Sequence, residues 1–252
     1  IQAGAIGKVH TIRLWKDSAP PLLKSSGVQT PPSRFNYDLW LGPAPYVEYI
    51  PERTHFTYRY FLDYSGGVFA DFWCHIADIA WWAVHPRGLK SIDARGSVAE
   101  GFANRPGWID IDYEFENLKL HWTTKPPKVP GAAKRNIGAY FEGDKGTLIC
   151  DYETREITIN GETMADIPEV GQSIPRSPGH QQDFVNAVKK RSQPESNLAY
   201  AREMTLPMHL GLISWRLGRK LQWHAGKEKF IGDSEANKLL SRKPRKEWRL
   251  VR

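Results

Sequence analysis

Four residues at helical spacing could do chemistry. Asp71, His75, Asp78 and Trp82 fall at i, i+4, i+7 and i+11 of a run that opens on Gly66-Gly67 and closes at His85-Pro86. If Ala70 to Val84 is a helix, the four share one face, and Phe72, Ile76, Ile79 and Ala83 form another that can pack on a sheet. A carboxylate one turn before an imidazole can orient it and raise its proton affinity, the arrangement a general base needs. On spacing alone a second reading stands beside this one: Asp71 serves the positive end of the helix and His75 is a hydrogen-bonded structural histidine. A metal centre is not expected, because Asp-x3-His supplies two ligands and no third is marked nearby.

Other candidates are more ambiguous. Arg53, His55, Arg59 and Tyr60 precede this run and either approach the same face or decorate the surface. His180 follows Pro178-Gly179 and opens a helix, a place explained equally by substrate contact and by helix-start polarity. Trp122, Trp215 and Trp223 lie in apolar patterns and read as core. Trp73 and Trp82 stay open, since one helix cannot bury both Trp81 and Trp82 on the same face.

The elements that position these residues are those of an α+β chain. Strand-like alternation covers Lys8 to Trp15, Ile92 to Val98, Ile109 to Phe115, Leu118 to Thr123, Ile137 to Glu142, Thr147 to Asp151 and Glu156 to Ile159. Short turns at Glu116-Asn117, Asp144-Lys145-Gly146 and Asn160-Gly161 favour antiparallel hairpins. Helices are expected over Val68 to Val84, Gln181 to Lys190 and Met204 to Leu217, with a short helix or turn at Tyr37 to Pro45. Asp17 to Phe35, rich in Pro, Ser and Gly, reads as an irregular excursion. Ile1 to Gly7 reads as the end of a helix closed by glycine, as though the chain had been cut there. The outcome is one sheet of at least six strands with helices on one side.

Composition removes several classes. At 252 residues with 40% hydrophobic, 25% charged and 12% aromatic side chains, including ten Trp, the chain is large enough for a sizeable core and is not disordered. The net charge of +7 is concentrated from Arg219 to Arg252, where 11 Lys and Arg face 4 acids, while the first 218 residues balance. That segment reads as a solvated tail or a subunit-docking element, and without a basic face or reading motif no nucleic-acid partner is expected. Cys74 and Cys150 cannot build a disulfide framework and read as two buried thiols. No apolar run approaches the roughly 20 residues of a membrane span and the opening residues lack a signal-peptide pattern, so a soluble chain of unassigned compartment, with no membrane partner, is expected. No Gly-x-Gly-x-x-Gly follows a strand and no Walker motif occurs, so no cofactor-binding residue is assigned in this chain.

The segment Asp63 to Asp78, with its Gly-Gly-x-x-x-Asp-x-x-x-His-x-x-Asp core, resembles the signature of the Gfo/Idh/MocA family, the relatives of glucose-fructose oxidoreductase and inositol dehydrogenase. Gln2 to Val9 resembles the passage from that family's dinucleotide-binding domain into its sheet. Trp40 to Pro45, Phe141 to Leu148 and Ile231 to Leu240 resemble blocks of a bacterial branch, so the likeness runs from Gln2 to Leu250. The resemblance implies that residues 1–252 are the substrate-binding and catalytic C-terminal domain. Its fold is then a large, mainly antiparallel open sheet of the dihydrodipicolinate-reductase-like kind, with the Rossmann domain and its NAD or NADP outside this chain. It implies hydride transfer on a sugar, polyol or sugar derivative, with His75 matching the catalytic histidine and Asp71 its acidic partner. Arg59, Asp78 and His180 are then the candidate substrate contacts, and a homo-oligomer through the sheet face is expected. The family's Glu-Lys-Pro lysine has no counterpart here. Two alternatives accompany this reading: an NAD-assisted glycosidase or lyase, and a cofactor-free binding or assembly subunit.

Overall fold

A computed structural model of the chain describes residues 1–18 and 21–249. Ten strands form one sheet in the order β10-β9-β2-β3-β4-β1-β5-β6-β7-β8. They are β1 (Val9–Lys16), β2 (Ser91–Val98), β3 (Pro106–Glu114), β4 (Lys119–Thr123), β5 (Ile137–Gly143), β6 (Gly146–Cys150), β7 (Arg155–Ile159), β8 (Glu162–Thr163), β9 (Leu221–His224) and β10 (Lys229–Phe230). Among the described strands β1 and β4 pair in parallel and all other neighbours in the sheet pair antiparallel. The α+β, mainly antiparallel reading therefore holds. Asn160 and Gly161, both at positive φ, close the β7–β8 hairpin as their types demand.

Strand alternation decides which side the helices cover. Ile12 and Leu14 of β1 lie beside Leu120 and Trp122 of β4 and beside Phe141 and Ala139 of β5. With Ile111, Tyr113, Ile92 and Ala94 they make one apolar face. On it lie α2 (Gly67–Val84) and α4 (Leu198–Leu217). Two short helices, α1 (Tyr37–Leu41) and α5 (Ser234–Lys238), and the intermediate α3 (His180–Lys190) complete the set. The opposite face is polar, with ion pairs Arg13–Glu142 and Arg95–Asp112, except where Trp15, Tyr140, Ile149 and Ala132 form a small second core.

The buried stripe of α2 is rotated from the expected one. Phe69, Trp73, Ile76, Ala77, Ala80 and Trp81 are buried, while Phe72, Ile79 and Ala83 sit half-buried on its flank. The large rings decide the rotation, because Trp73 packs against Phe69, Trp81, Tyr113 and Trp122 and no smaller residue can replace that apolar area. Trp81 is thus inside and Trp82 is 56% exposed. Trp122 and Trp223 are buried, and Trp215 is partly so.

Several further expectations are corrected. Ile1 to Gly7 is two tight turns, Gly4 N–H bonding to the Ile1 carbonyl and Gly7 N–H to that of Gly4, with both glycines at positive φ. Cys74 is exposed and only Cys150 is buried. Helix α4 starts at Leu198, capped by the Asn197 side chain accepting from Tyr200 N–H at 3.1 Å, and carries Pro207 inside it. The basic segment is not a free tail as far as Arg249: β9 and β10 extend the sheet, and Arg219 pairs with Asp233 and Glu235. Arg245 pairs with Asp38 and Arg242 donates to the Asp63 carbonyl, so its few acids and the body's carbonyls fix the cations. Residues 250–252, and Ala19 and Pro20 of the irregular excursion, lie outside the described residues. Among the described residues no helix is long and apolar enough to cross a membrane.

Candidate active site on the outer face of α2

The head of α2 explains the glycine pair. A Cβ on Gly66 would stand 2.5 Å from Leu212 Cδ1 and 2.7 Å from Ala70 Cβ, so its absence lets α2 close on α4. Gly67 has φ +71° and lies against the Arg105 side chain. The helix is then stitched in place by Trp73, whose Nε1 donates to the Met204 carbonyl of α4 at 2.7 Å. Tyr113 of β3 donates to the Pro207 carbonyl at 3.0 Å. Ser214 Oγ accepts from Ala94 N–H of β2 at 3.0 Å, tying α4 to the sheet.

With that stripe inward, Asp71, His75, Asp78 and Trp82 share the face turned away from the sheet. Their surroundings differ. Asp71 lies 3.5 Å from Arg59 Nη1, and Arg59 itself sits 3.9 Å over the Phe56 ring from the short helical turn Thr57–Tyr60. No hydrogen bond joins Asp71 to His75 among the described residues; the carboxylate's charged partner is Arg59. His75 is exposed, with Phe72 at 5.2 Å and Tyr152 at 6.3 Å between ring centroids, and no internal hydrogen bond to it is found among the described residues. The hydrogen bond that the structural-histidine alternative calls for is not found among the described residues.

Asp78 has a different occupation. Tyr200 of α4 donates to its Oδ1 at 2.6 Å, and burial, then the Asp78 carboxylate, hold the Tyr200 phenol above its ordinary ionisation range. Its carboxylate braces α2 against α4. His180 is exposed at the head of α3, and no hydrogen bond, ion pair or ring contact ties it to α2 among the described residues. Arg53 pairs with Asp63 at 2.8 Å and rests on Phe61 and Phe102, Tyr60 is buried, and the His55 ring packs on Phe35; these are structural places.

Two residues beside α2 carry no signal in the linear sequence. Tyr152 belongs to the β6–β7 turn, and Lys16, the last residue of β1, holds its Nζ 5.1 Å from the Phe72 centroid. The turn under Tyr152 is firm. Asp151 accepts from Glu153 N–H, Thr154 N–H and the Thr154 hydroxyl and lies 3.2 Å from the buried Arg135 guanidinium. Burial pushes the Asp151 carboxyl up, but those hydrogen bonds and Arg135 together win and hold it below its ordinary value. Beside Asp71 opens a cleft of about 790 Å³ between the head of α2 and the middle of α4, lined by Leu62, Ala70, Leu206, His209 and Arg242 among others. Among the described residues no group of three or more His, Cys, Asp or Glu side chains is placed to hold a metal ion.

The open mixed sheet carries the Gly-Gly-headed α2 on one face, with Asp71 and His75 turned away from the sheet. The chain belongs to the Gfo/Idh/MocA oxidoreductase family: residues 15–250 match the model described as the oxidoreductase family, C-terminal alpha/beta domain. Among solved structures it resembles a putative oxidoreductase from Thermotoga maritima at TM-score 0.54 and 12% identity. An aldose-aldose oxidoreductase from Caulobacter crescentus complexed with glycerol is similar at TM-score 0.54 and 12% identity. Each match covers 88% of this chain and 57% of the other. An oxidoreductase from Agrobacterium radiobacter in complex with NAD+, L-tartaric acid and magnesium is similar at TM-score 0.51 and 14% identity, over 88% of this chain and 58% of that one. The chain thus spans somewhat over half the length of these structures, and at such identities the likeness establishes the fold. No curated protein matches it in sequence.

Proposed function

We propose that the chain is the substrate-binding and catalytic domain of an NAD(P)-dependent oxidoreductase that acts on a sugar, a polyol or a sugar derivative, with His75 as its general base and acid. The observation that carries this reading is the exposed His75 imidazole, without a hydrogen-bond partner among the described residues, one turn after an Arg59-held Asp71 and near the rings of Phe72 and Tyr152. NAD-bound and aldose-acting proteins among the structural neighbours support the cofactor and substrate class. Gly4 and Gly7 close turns that lead directly into β1 and not into a helix, which does not fit a pyrophosphate cradle. The proposal therefore gives the dinucleotide to a Rossmann domain outside these 252 residues and gives this chain the substrate side.

The hydride chemistry at the carbinol carbon would be supplied by a nicotinamide held by that other domain. The chain's own part is proton handling and positioning. A ring nitrogen of His75 takes the hydroxyl proton as the carbon–oxygen bond becomes a carbonyl, and gives it back in reduction. Asp71, fixed by Arg59, accepts a hydrogen bond from a neighbouring hydroxyl. Phe72 and Tyr152 offer ring faces to the apolar C–H side of a sugar. Asp78 acts on the position of α2 through Tyr200, and no step calls on His180. The polar face of the sheet, with Arg13–Glu142 and Arg95–Asp112–His121, is the proposed surface for a homo-oligomer. The test is NAD- and NADP-linked oxidation of a panel of aldoses, polyols, sugar acids and nucleotide sugars by the enzyme carrying this domain together with its dinucleotide domain. Reduction of the cofactor by at least one member, and its loss in Asp71→Asn at unchanged thermal midpoint, is expected; a panel without turnover would overturn the reading.

A further inference from the structure

The turn that carries Arg59 has little of its own to hold it. Arg59 approaches Asp71 at 3.5 Å and lies over the Phe56 ring at the start of the same turn, and its buried Nε has no hydrogen-bond partner among the described residues. Where the guanidinium stands therefore follows from where the turn Thr57–Tyr60 is put relative to α2. The β2–β3 loop puts it there. Phe61 and Phe102 meet edge to face at 5.3 Å between centroids, and Asn104 Oδ1 accepts from Leu62 N–H at 2.7 Å. Both contacts grip the segment between the turn and the helix.

Arg105 of that loop touches both sides. Its guanidinium stands 5.0 Å from the centroid of Tyr60, the residue after Arg59. Its stem lies so close to the first residue of α2 that a Cβ on Gly67 would stand 3.0 Å from Arg105 Cβ and 3.1 Å from Cδ. The loop is closed by Ala99 N–H donating to the Arg105 carbonyl at 2.9 Å, and Nη1 of Arg105 donates to the Pro106 carbonyl at 2.7 Å. Arg105 is 3% exposed, and no carboxylate pairs with it among the described residues. Burying a cation without a counterion is costly, and burial lowers its proton affinity from the ordinary arginine value. A residue that served only to fill this space would be apolar. A guanidinium adds a flat cation for the Tyr60 ring and a rigid fork for the Pro106 carbonyl.

We infer that Arg105 is a positioning residue of the candidate site: it fixes the Arg59-bearing turn to the head of α2 and so sets Arg59 against Asp71, one helical turn along from Gly67. Among the described residues Arg105 makes no hydrogen bond or ion pair to Asp71 or His75, and it acts through Arg59. For its effect on turnover the inference rests on the reading of Asp71 and His75 given above. For its effect on Arg59 it rests on the geometry alone.

Nitrogen-edited NMR of the Arg59 guanidinium, recorded on the 252-residue chain and on its Asp71→Asn, Arg105→Met and Arg105→Lys variants, tests the geometry. Asp71→Asn supplies the spectrum of an Arg59 without its carboxylate, and Arg105→Met is expected to shift the Arg59 signals toward it. Arg105→Lys keeps the charge and the stem but not the fork, and its spectrum is expected to fall between. In the enzyme carrying this domain with its dinucleotide domain, Arg105→Met is expected to lower kcat/KM about 10- to 100-fold, as a misplacement of about 1 Å does. Added to Arg59→Met it should cost less than about threefold more, because both act through one pair. A parent-like Arg59 spectrum in Arg105→Met overturns the inference, and if that variant does not fold the same result in Arg105→Lys overturns it. Equal losses of kcat/KM from Arg105→Met with and without Arg59 also overturn it. A parent enzyme without turnover defeats the proposed function instead, and the Arg59 spectra then decide the geometric claim alone.

Discussion

Replacing Trp73 by Phe tests whether the α2–α4 stitch holds the face that carries Asp71 and His75 in place. Trp73 is fully buried, and its Nε1 donates to the Met204 carbonyl at 2.7 Å. Losing that hydrogen bond costs about 1 kcal/mol. Removing the fused ring leaves a void among Phe69, Trp81, Tyr113 and Trp122, a further roughly 1–2 kcal/mol for a core that relaxes only in part. The expected destabilisation is about 2–3 kcal/mol, or a drop of roughly 5–10 °C in thermal midpoint for a chain of this size. Equilibrium unfolding in urea followed by far-ultraviolet circular dichroism reads it, with the slope unchanged. A loss below about 0.5 kcal/mol would refute the stitch and with it the account of how α2 is oriented.

Gly66→Ala should destabilise by roughly 1–3 kcal/mol, because its Cβ would stand 2.5 Å from Leu212 Cδ1; an unchanged midpoint in thermal unfolding would show that α4 yields at no cost. Asp151→Asn should cost about 1–3 kcal/mol at neutral pH, since Asp151 accepts three hydrogen bonds and faces the buried Arg135. Its depressed ionisation means that it stabilises the fold above the ordinary carboxyl value and that this share is lost as pH falls through the folded value. Unfolding free energy measured between pH 5 and pH 2, roughly the range in which such a carboxylate titrates, should therefore fall more steeply for the parent than for the Asn variant; equal slopes would remove Asp151 from the acid response.

The site is partly legible in the amino-acid sequence. Asp71, His75, Asp78 and Trp82 share a face because a period of 3.6 needs only local information, and the glycine pair marks the helix start. The rotation of the inward stripe is not legible, since competing apolar stripes differ only in how well Phe69, Trp73 and Trp81 fill the sheet's face. Lys16 and Tyr152 are hidden as neighbours of α2 because sheet register, pairing β1 with β5 and β5 with β6, brings their strand ends to that helix. Strands β8, β9 and β10 and helix α5 are hidden for another reason: two to five residues amid charged neighbours carry too little periodicity, and they form by adding to an edge that already exists. The family match over residues 15–250 bears out the resemblance carried by the Asp63 to Asp78 motif.

The central claim is that His75 moves the proton. The direct measurement is turnover of His75→Ala in the enzyme carrying this domain with its dinucleotide domain, beside the unfolding curve of the same variant. Because the imidazole is exposed and unbonded, stability should stay within about 0.5 kcal/mol of the parent. Turnover should fall about 10²- to 10⁴-fold, the range for removing a general base. Activity within a few-fold of the parent at full cofactor and substrate saturation would contradict the assignment.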